Sequence, residues 1–142
     1  MEENRDNILA TLQRVRRINP DISIFLTLSP APLDVSNEFA SALVADCVSK
    51  SVLRIAIHEV MKKQLSKVTY WPSFEIVRWV GSHLGPVYGA EDQHPRHVSN
   101  WIVDVIVRKF MTYNGGAALL AKGESREADM GEPKPFVLHK NY

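Results

Sequence analysis

The sequence has almost no cysteine, no long apolar run and almost no net charge. Cys47 is the single cysteine among 142 residues, which excludes a disulfide framework or a multi-cysteine zinc site within one chain. No segment approaches the ~20 consecutive apolar residues of a membrane helix. The opening stretch MEENRDNILA is polar and acidic, without the apolar core of a signal peptide. The expected compartment is therefore the cytoplasm, with no membrane partner. A net charge of +1 supplies no basic field for nucleic acid. The one basic cluster, Arg14, Arg16 and Arg17, reads as the solvated face of a helix. There is no internal repeat, and neither Gly-Asp-Ser nor Gly-x-Ser-x-Gly occurs to mark a nucleophile.

What is present is the composition of one ordinary globular domain, 45% hydrophobic and 23% charged. Ile8, Leu9, Leu12, Val15 and Ile18 follow helical spacing, and Asn19-Pro20 stops that helix. The run ISIFLTLS, Ile22 to Ser29, is nearly continuous in apolar residues and bounded by prolines. It is expected to be a strand buried on both faces, as in parallel sheets. A Pro-containing connection, Pro30 to Ala45, leads to a helix over Cys47–Leu65, with Leu53, Ile57, Val60 and Met61 on one face. KVTYWP, Lys67 to Pro72, reads as a second strand. The strand–helix–strand order predicts a parallel pair with a right-handed crossover. A short helix or irregular segment follows over Ser73–Val80, then a loop from Gly81 to Pro95. Ser99 can cap a last helix carrying Ile102, Val103, Ile106, Val107 and Phe110. The fold class expected is α/β and helix-rich, with parallel strands. Residues 1–113 form the body, and 114–142 are expected to be a flexible polar tail.

Between Ala90 and Val98 the chain places Glu91, Asp92, His94 and His97 within seven residues, just before an apolar helix. Carboxylates beside histidines suit acid–base chemistry, because an imidazole base needs a carboxylate to hold its other ring nitrogen. A solvated loop with local ion pairs is the plainer reading of the same residues. A third reading is metal: His94 and His97 with Asp92 or Glu91 are zinc-ligand types. The proline in this segment leaves their directions unspecified, so no metal and no cofactor is expected.

Four motifs occur in order: LTLSPAPL (Leu26–Leu33), SKSVLR (Ser49–Arg54), YWPSFEIV (Tyr70–Val77) and RHVS (Arg96–Ser99). Together they resemble the C-terminal part of the GSCFA-domain proteins, a bacterial family similar to the SGNH hydrolases. The resemblance runs from about Asn19 to Phe110. It implies a partial three-layer α/β/α arrangement of SGNH- or flavodoxin-like type, with the site at the C-terminal ends of the strands. It also implies ester hydrolysis or acyl transfer by a serine–histidine–aspartate device. Register on RHVS selects His97 as base, with Asp92 five residues upstream; register on the His-Pro dipeptide selects His94 with Glu91. The former is favoured, because the match continues into the helix. Neither is the Asp-x-x-His spacing common in SGNH-like enzymes. The family's Gly-Ser-Cys block is absent, so the chain is expected to carry only the Asp/His half of a triad and to be inactive alone. The expected partner is a missing N-terminal half or a second copy. The alternative is a non-catalytic α/β partner or scaffold that has lost its nucleophile.

Other residues invite plainer roles. Cys47 sits at an expected helix N-terminus, where a thiolate is favoured, though a half-buried structural thiol is the commoner case. Ser29, Ser49 and Ser51 suit turns and caps. Tyr70, Trp71, Phe74 and Trp79 suit core packing. His58 and His83 are read as surface or satisfied core. Arg54 could anchor an anion or form an ion pair.

Overall fold

A computed structural model describes residues 1–114. The helix α1, Glu2–Ile18, has Glu2 and Glu3 in its first turn and Arg16 and Arg17 in its last, matching the helix dipole at both ends. Its apolar stripe is buried only at Leu12, while Ile18, at the end of the stripe, is 87% exposed. Strand β1 is Ile24–Leu26 and strand β2 is Val68–Tyr70. They pair in parallel with Ile24 opposite Val68, Phe25 opposite Thr69 and Leu26 opposite Tyr70. The ladder continues at both ends, through Ile24 N–H to the Lys67 carbonyl at 2.8 Å and Trp71 N–H to the Leu26 carbonyl at 2.7 Å.

The expected parallel pair is present, but both strands are shorter than the apolar runs that announce them. The expectation of burial on both faces is corrected. From Asp21 to Leu28 exposed residues alternate with covered ones, the pattern of a strand covered on one face. Among the described residues the sheet has two strands.

The helix joining them, α2, spans Ala42–Met61. It begins before the expected Cys47 because Ser41 caps it, the hydroxyl accepting the Val44 N–H at 3.4 Å, and it ends at Met61 rather than at the expected Leu65. Ser49 and Ser51 therefore lie mid-helix, and Cys47 is an exposed residue of the second turn rather than a terminal or half-buried one. Ala45, Ala56, Ile57 and Val60 are buried. Val60 joins Leu12 and Val68 in one hydrophobic cluster, flanked by Ile8, Leu9, Ile24 and Leu26. This cluster binds α1, α2 and the sheet together by apolar burial, roughly 1.5–3 kcal/mol per fully covered aliphatic side chain.

After β2 the chain makes a helical turn α3, Ser73–Glu75, then a π-helical turn, Ile76–Val80, and a 3-10 turn, Gly81–His83. The last described helix, α4, is Asn100–Tyr113. Ile76, Val77, Val87 and Ile102 form a second buried cluster, packed by Trp71, Tyr88, Val98 and Trp101. At Gly81 an added Cβ would meet Val87 Cγ1 at 2.8 Å, so this cluster closes only over a residue without a side chain. No described helix is long and apolar enough to cross a membrane. The expected tail lies, beyond Asn114, outside the described residues.

Candidate active site

The second cluster sets the base of a loop running from Tyr88 to Val98. Those two residues form an antiparallel bridge. Ser99 N–H donates to the Val87 carbonyl and Gly89 N–H to the His97 carbonyl, each at 2.9 Å. Ser99 is fully buried, and its hydroxyl accepts the Ala90 N–H at 3.2 Å. Glu91 reaches across the loop, its Oε1 accepting the Asn100 N–H at 2.9 Å, so this carboxylate serves the positive end of α4. The first half of the loop is thereby tied to the start of the helix.

The tip is bent by two left-handed residues. Gly89 has φ +64, and a Cβ there would stand 2.9 Å from the His94 carbonyl oxygen. Gln93 has φ 60, a conformation that costs a residue with a side chain roughly 1–2 kcal/mol. Gln93 N–H closes the turn onto the Gly89 carbonyl at 2.9 Å. Asp92 then turns back on the chain: Oδ1 accepts the His94 N–H at 2.9 Å, the local bond that makes aspartate a turn residue.

This bend leaves Asp92 Oδ2 2.5 Å from Nδ1 of His97. An ionised carboxylate can only accept, so Nδ1 is the donor whenever Asp92 is charged. The His97 hydrogen bond, then the His94 N–H, hold the Asp92 carboxyl below its ordinary value. The His94 ring stacks on the His97 ring, centroids 4.1 Å apart and planes at 19°. His94 Nδ1 accepts the Arg96 N–H at 3.4 Å. The loop thus brings Asp92 and His97 together, places His94 against the face of His97, and sends Glu91 to the helix instead of to His94. Among the described residues no hydroxyl or thiol is bonded to the His97 ring, and no group of three or more histidine, cysteine or acidic residues is placed to hold a metal.

A second loop, Pro30–Asp34, follows the C-terminal end of β1 and meets the first. The Pro30 carbonyl accepts from the Tyr88 hydroxyl at 2.8 Å and from Arg78 Nε at 3.2 Å. The Leu33 N–H donates to Asp46 Oδ1 at 3.0 Å, while Asp46 Oδ2 pairs with Arg78 Nη2 at 2.7 Å. The Asp46 side chain is 4% exposed and that of Arg78 25%. Arg96 Nε donates to the Pro32 carbonyl at 3.1 Å, and its Nη1 pairs with Asp34 Oδ2 at 2.9 Å. Through Arg96 the histidine loop lies against the Pro30–Asp34 loop that follows β1.

Asp46, Arg78, Tyr88 and Arg96 carry this arrangement; Arg96 lies in the RHVS motif and in the loop expected to form local ion pairs, but the sequence pattern does not single out Asp46, Arg78 or Tyr88. The available signal was a lone acid, Asp46, among the apolar residues at the start of α2. Arg54 is an ion-pair residue: its Nε lies 2.6 Å from Glu75 Oε1, and Glu75 Oε2 accepts the Tyr70 hydroxyl at 2.7 Å. Burial, then that bond, pushes the Tyr70 phenol up. Ser29 has a turn role, accepting the Ala31 N–H at 3.3 Å. Tyr70, Trp71 and Phe74 are half-buried, but Trp79 is 67% exposed and so is not core. His58 and His83 are exposed. An apolar hollow of about 240 Å³ lies elsewhere, lined by Leu9, Leu12, Gln13, Arg16, Lys63 and Leu65.

The model of the GSCFA family matches residues 1–110. No curated protein and no solved structure matches the chain.

Proposed function

The chain belongs to the GSCFA family, and from that membership we propose that it carries the acid–histidine half of a site for ester hydrolysis or acyl transfer. His97 is the base and Asp92 its orienting carboxylate. The observation that carries this reading is the 2.5 Å contact between Asp92 Oδ2 and His97 Nδ1 on a loop tied through Arg96 to the Pro30–Asp34 loop after β1. With Nδ1 occupied, Nε2 is the nitrogen left to take a proton from an attacking hydroxyl. His94 is the stacking neighbour in this reading, because Asp92 faces His97.

The nucleophile is a serine outside residues 1–114 or on a second polypeptide. Among the described residues the sheet has two strands, fewer than the family's fold implies. Such a partner would extend the sheet toward the three-layer arrangement of SGNH-like enzymes. Assay of acyl-ester hydrolysis by this chain alone, and with a serine-bearing GSCFA N-terminal segment added, tests the reading. The chain alone gives no appreciable turnover, and the pair gives turnover that a serine-directed inhibitor stops. Turnover by the chain alone that resists the inhibitor would refute it.

The second reading is a non-catalytic scaffold. It is favoured by the lack, among the described residues, of a hydroxyl or thiol on the His97 ring. It predicts a pair that assembles without turnover.

A further inference from the structure

Arg96 precedes the histidine of the pair, yet its side chain leaves the histidine loop altogether. One guanidinium spans two acceptors on the Pro30–Asp34 loop, Nε to the Pro32 carbonyl at 3.1 Å and Nη1 to Asp34 Oδ2 at 2.9 Å. The planar fork of arginine satisfies both at fixed angles, which a lysine ammonium on one flexible stem does not. The loop it grips is itself rigidly held. Leu33, between the two gripped residues, donates its N–H to Asp46, and that carboxylate is buried against Arg78.

A continuous line of contacts therefore runs from α2 through Asp46 and Leu33 to Arg96 and the pair. The tip of the histidine loop is tied to itself and to the start of α4, through Gln93 N–H to the Gly89 carbonyl and Glu91 Oε1 from the Asn100 N–H, and Arg96 is the side chain that ties it to the Pro30–Asp34 loop. Glu91, Asp92, Gln93, His94 and Pro95 are exposed, and Gln93 is held in a left-handed conformation. The Gly89–His97 and Tyr88–Val98 contacts secure the base of the loop, and the Glu91 and Gln93 bonds link its tip to α4 and to Gly89, but none of these reaches the Pro30–Asp34 loop.

We propose that Arg96 is a positioning residue: it sets where Asp92 and His97 stand relative to the Pro30–Asp34 loop that follows β1. The inference rests on the reading of that pair as an acid–base unit. Its test reads the geometry, so the two can fail separately. The partly exposed Arg96–Asp34 pair adds little to global stability, so a loss of order without a loss of fold is the signature of positioning.

The experiment is backbone ¹⁵N relaxation on the whole chain, with Arg96→Gln, Arg96→Lys and Asp34→Asn compared with wild type. Arg96→Gln drops the order parameters of Asp92, Gln93, His94 and His97 from about 0.85 to below about 0.6. The Leu33 amide, held by Asp46, keeps its value, and the melting temperature moves by no more than about 2 °C. Asp34→Asn, which leaves the Pro32 contact in place, gives a smaller drop, and Arg96→Lys restores only part of the order. Unchanged order in Arg96→Gln overturns the proposal. So does an equal loss at Leu33 and at the tip, which is the result for a merely structural arginine. Full rescue by lysine overturns the role of the fork. If the order falls as stated but His97→Ala leaves the turnover of the assembled pair intact, positioning stands and the catalytic reading fails.

Discussion

Replacing Arg78 by methionine isolates the buried ion pair beneath the Pro30–Asp34 loop. The Arg78 guanidinium lies 5.6 Å from the Phe74 ring centre and 5.7 Å from that of Tyr88. Methionine keeps most of the apolar stem in that slot and removes only the charged head. Asp46, with 4% of its side chain exposed, is then left with the Leu33 N–H as its hydrogen-bond partner. Removing one partner of a buried pair typically costs about 3–5 kcal/mol, and the Lys50 ammonium, which Asp46 also attracts, puts the expected cost at the low end of that range. Asp46→Asn is milder: its amide oxygen still accepts the Leu33 N–H, and Arg78 is 25% exposed and partly hydrated, so about 1–3 kcal/mol is expected. The double variant contains no stranded charge and costs less than the sum of the two, by about 0.5–3 kcal/mol. Urea unfolding at neutral pH measures all three, with the slope checked for constancy. A cost for Arg78→Met below about 1 kcal/mol, or strict additivity in the cycle, would refute this reading of the pair.

The remaining predictions concern the loop and the one thiol. Gly89→Ala imposes a left-handed alanine, at about 1–2 kcal/mol, and sets a methyl 2.9 Å from the His94 carbonyl oxygen. It lowers the melting temperature and shifts the His94 and His97 ring resonances, and unshifted rings would contradict the close approach. The Asp92 carboxyl is held down by His97, so its stabilising effect is present above the ordinary carboxylate value of about 3.9. That effect is lost as pH falls through the depressed folded value. Urea midpoints followed from about pH 5 down to about pH 2 therefore fall more steeply in wild type than in Asp92→Asn, and parallel curves would count against the bond. Cys47 is exposed, so Ellman's reagent titrates it in native buffer within about tenfold of its rate in urea; protection would mean that this face of α2 is covered.

The parts legible in the sequence are those fixed by local periodicity. The change from helical spacing at Ile8–Ile18 to the apolar run at Ile22–Ser29, and back, marked the strand–helix–strand unit correctly. Where each element stops was less legible, because termini depend on contacts. Ser41 begins α2 inside what reads as a Pro-containing connection, since a cap is one hydroxyl and leaves no periodicity. The one-sided burial of β1 was missed because Ile, Phe and Leu look alike whether a strand is covered on one face or two. The family resemblance, in its RHVS register, selects Asp92 and His97, while the spacing alone leaves His94 with Glu91 open. The contact requires positive φ at Gly89, which glycine hints at, and at Gln93, which nothing announces. Asp46 and Arg78 meet across 32 residues of sequence, so neither stands out alone. The π-helical turn at Ile76–Val80 that carries Arg78 has no sequence mark at all.

The central claim is that Asp92 holds His97 with Nδ1 protonated and Nε2 free to act as base. Long-range ¹H–¹⁵N correlation spectra of the imidazoles at neutral pH test it most directly, because they report which ring nitrogen carries the proton. The expected result is the Nδ1–H tautomer for His97 in the wild type and its loss in Asp92→Ala, with His94→Ala leaving it in place. A wild-type His97 that is protonated at Nε2, or one indifferent to the removal of Asp92, would contradict it.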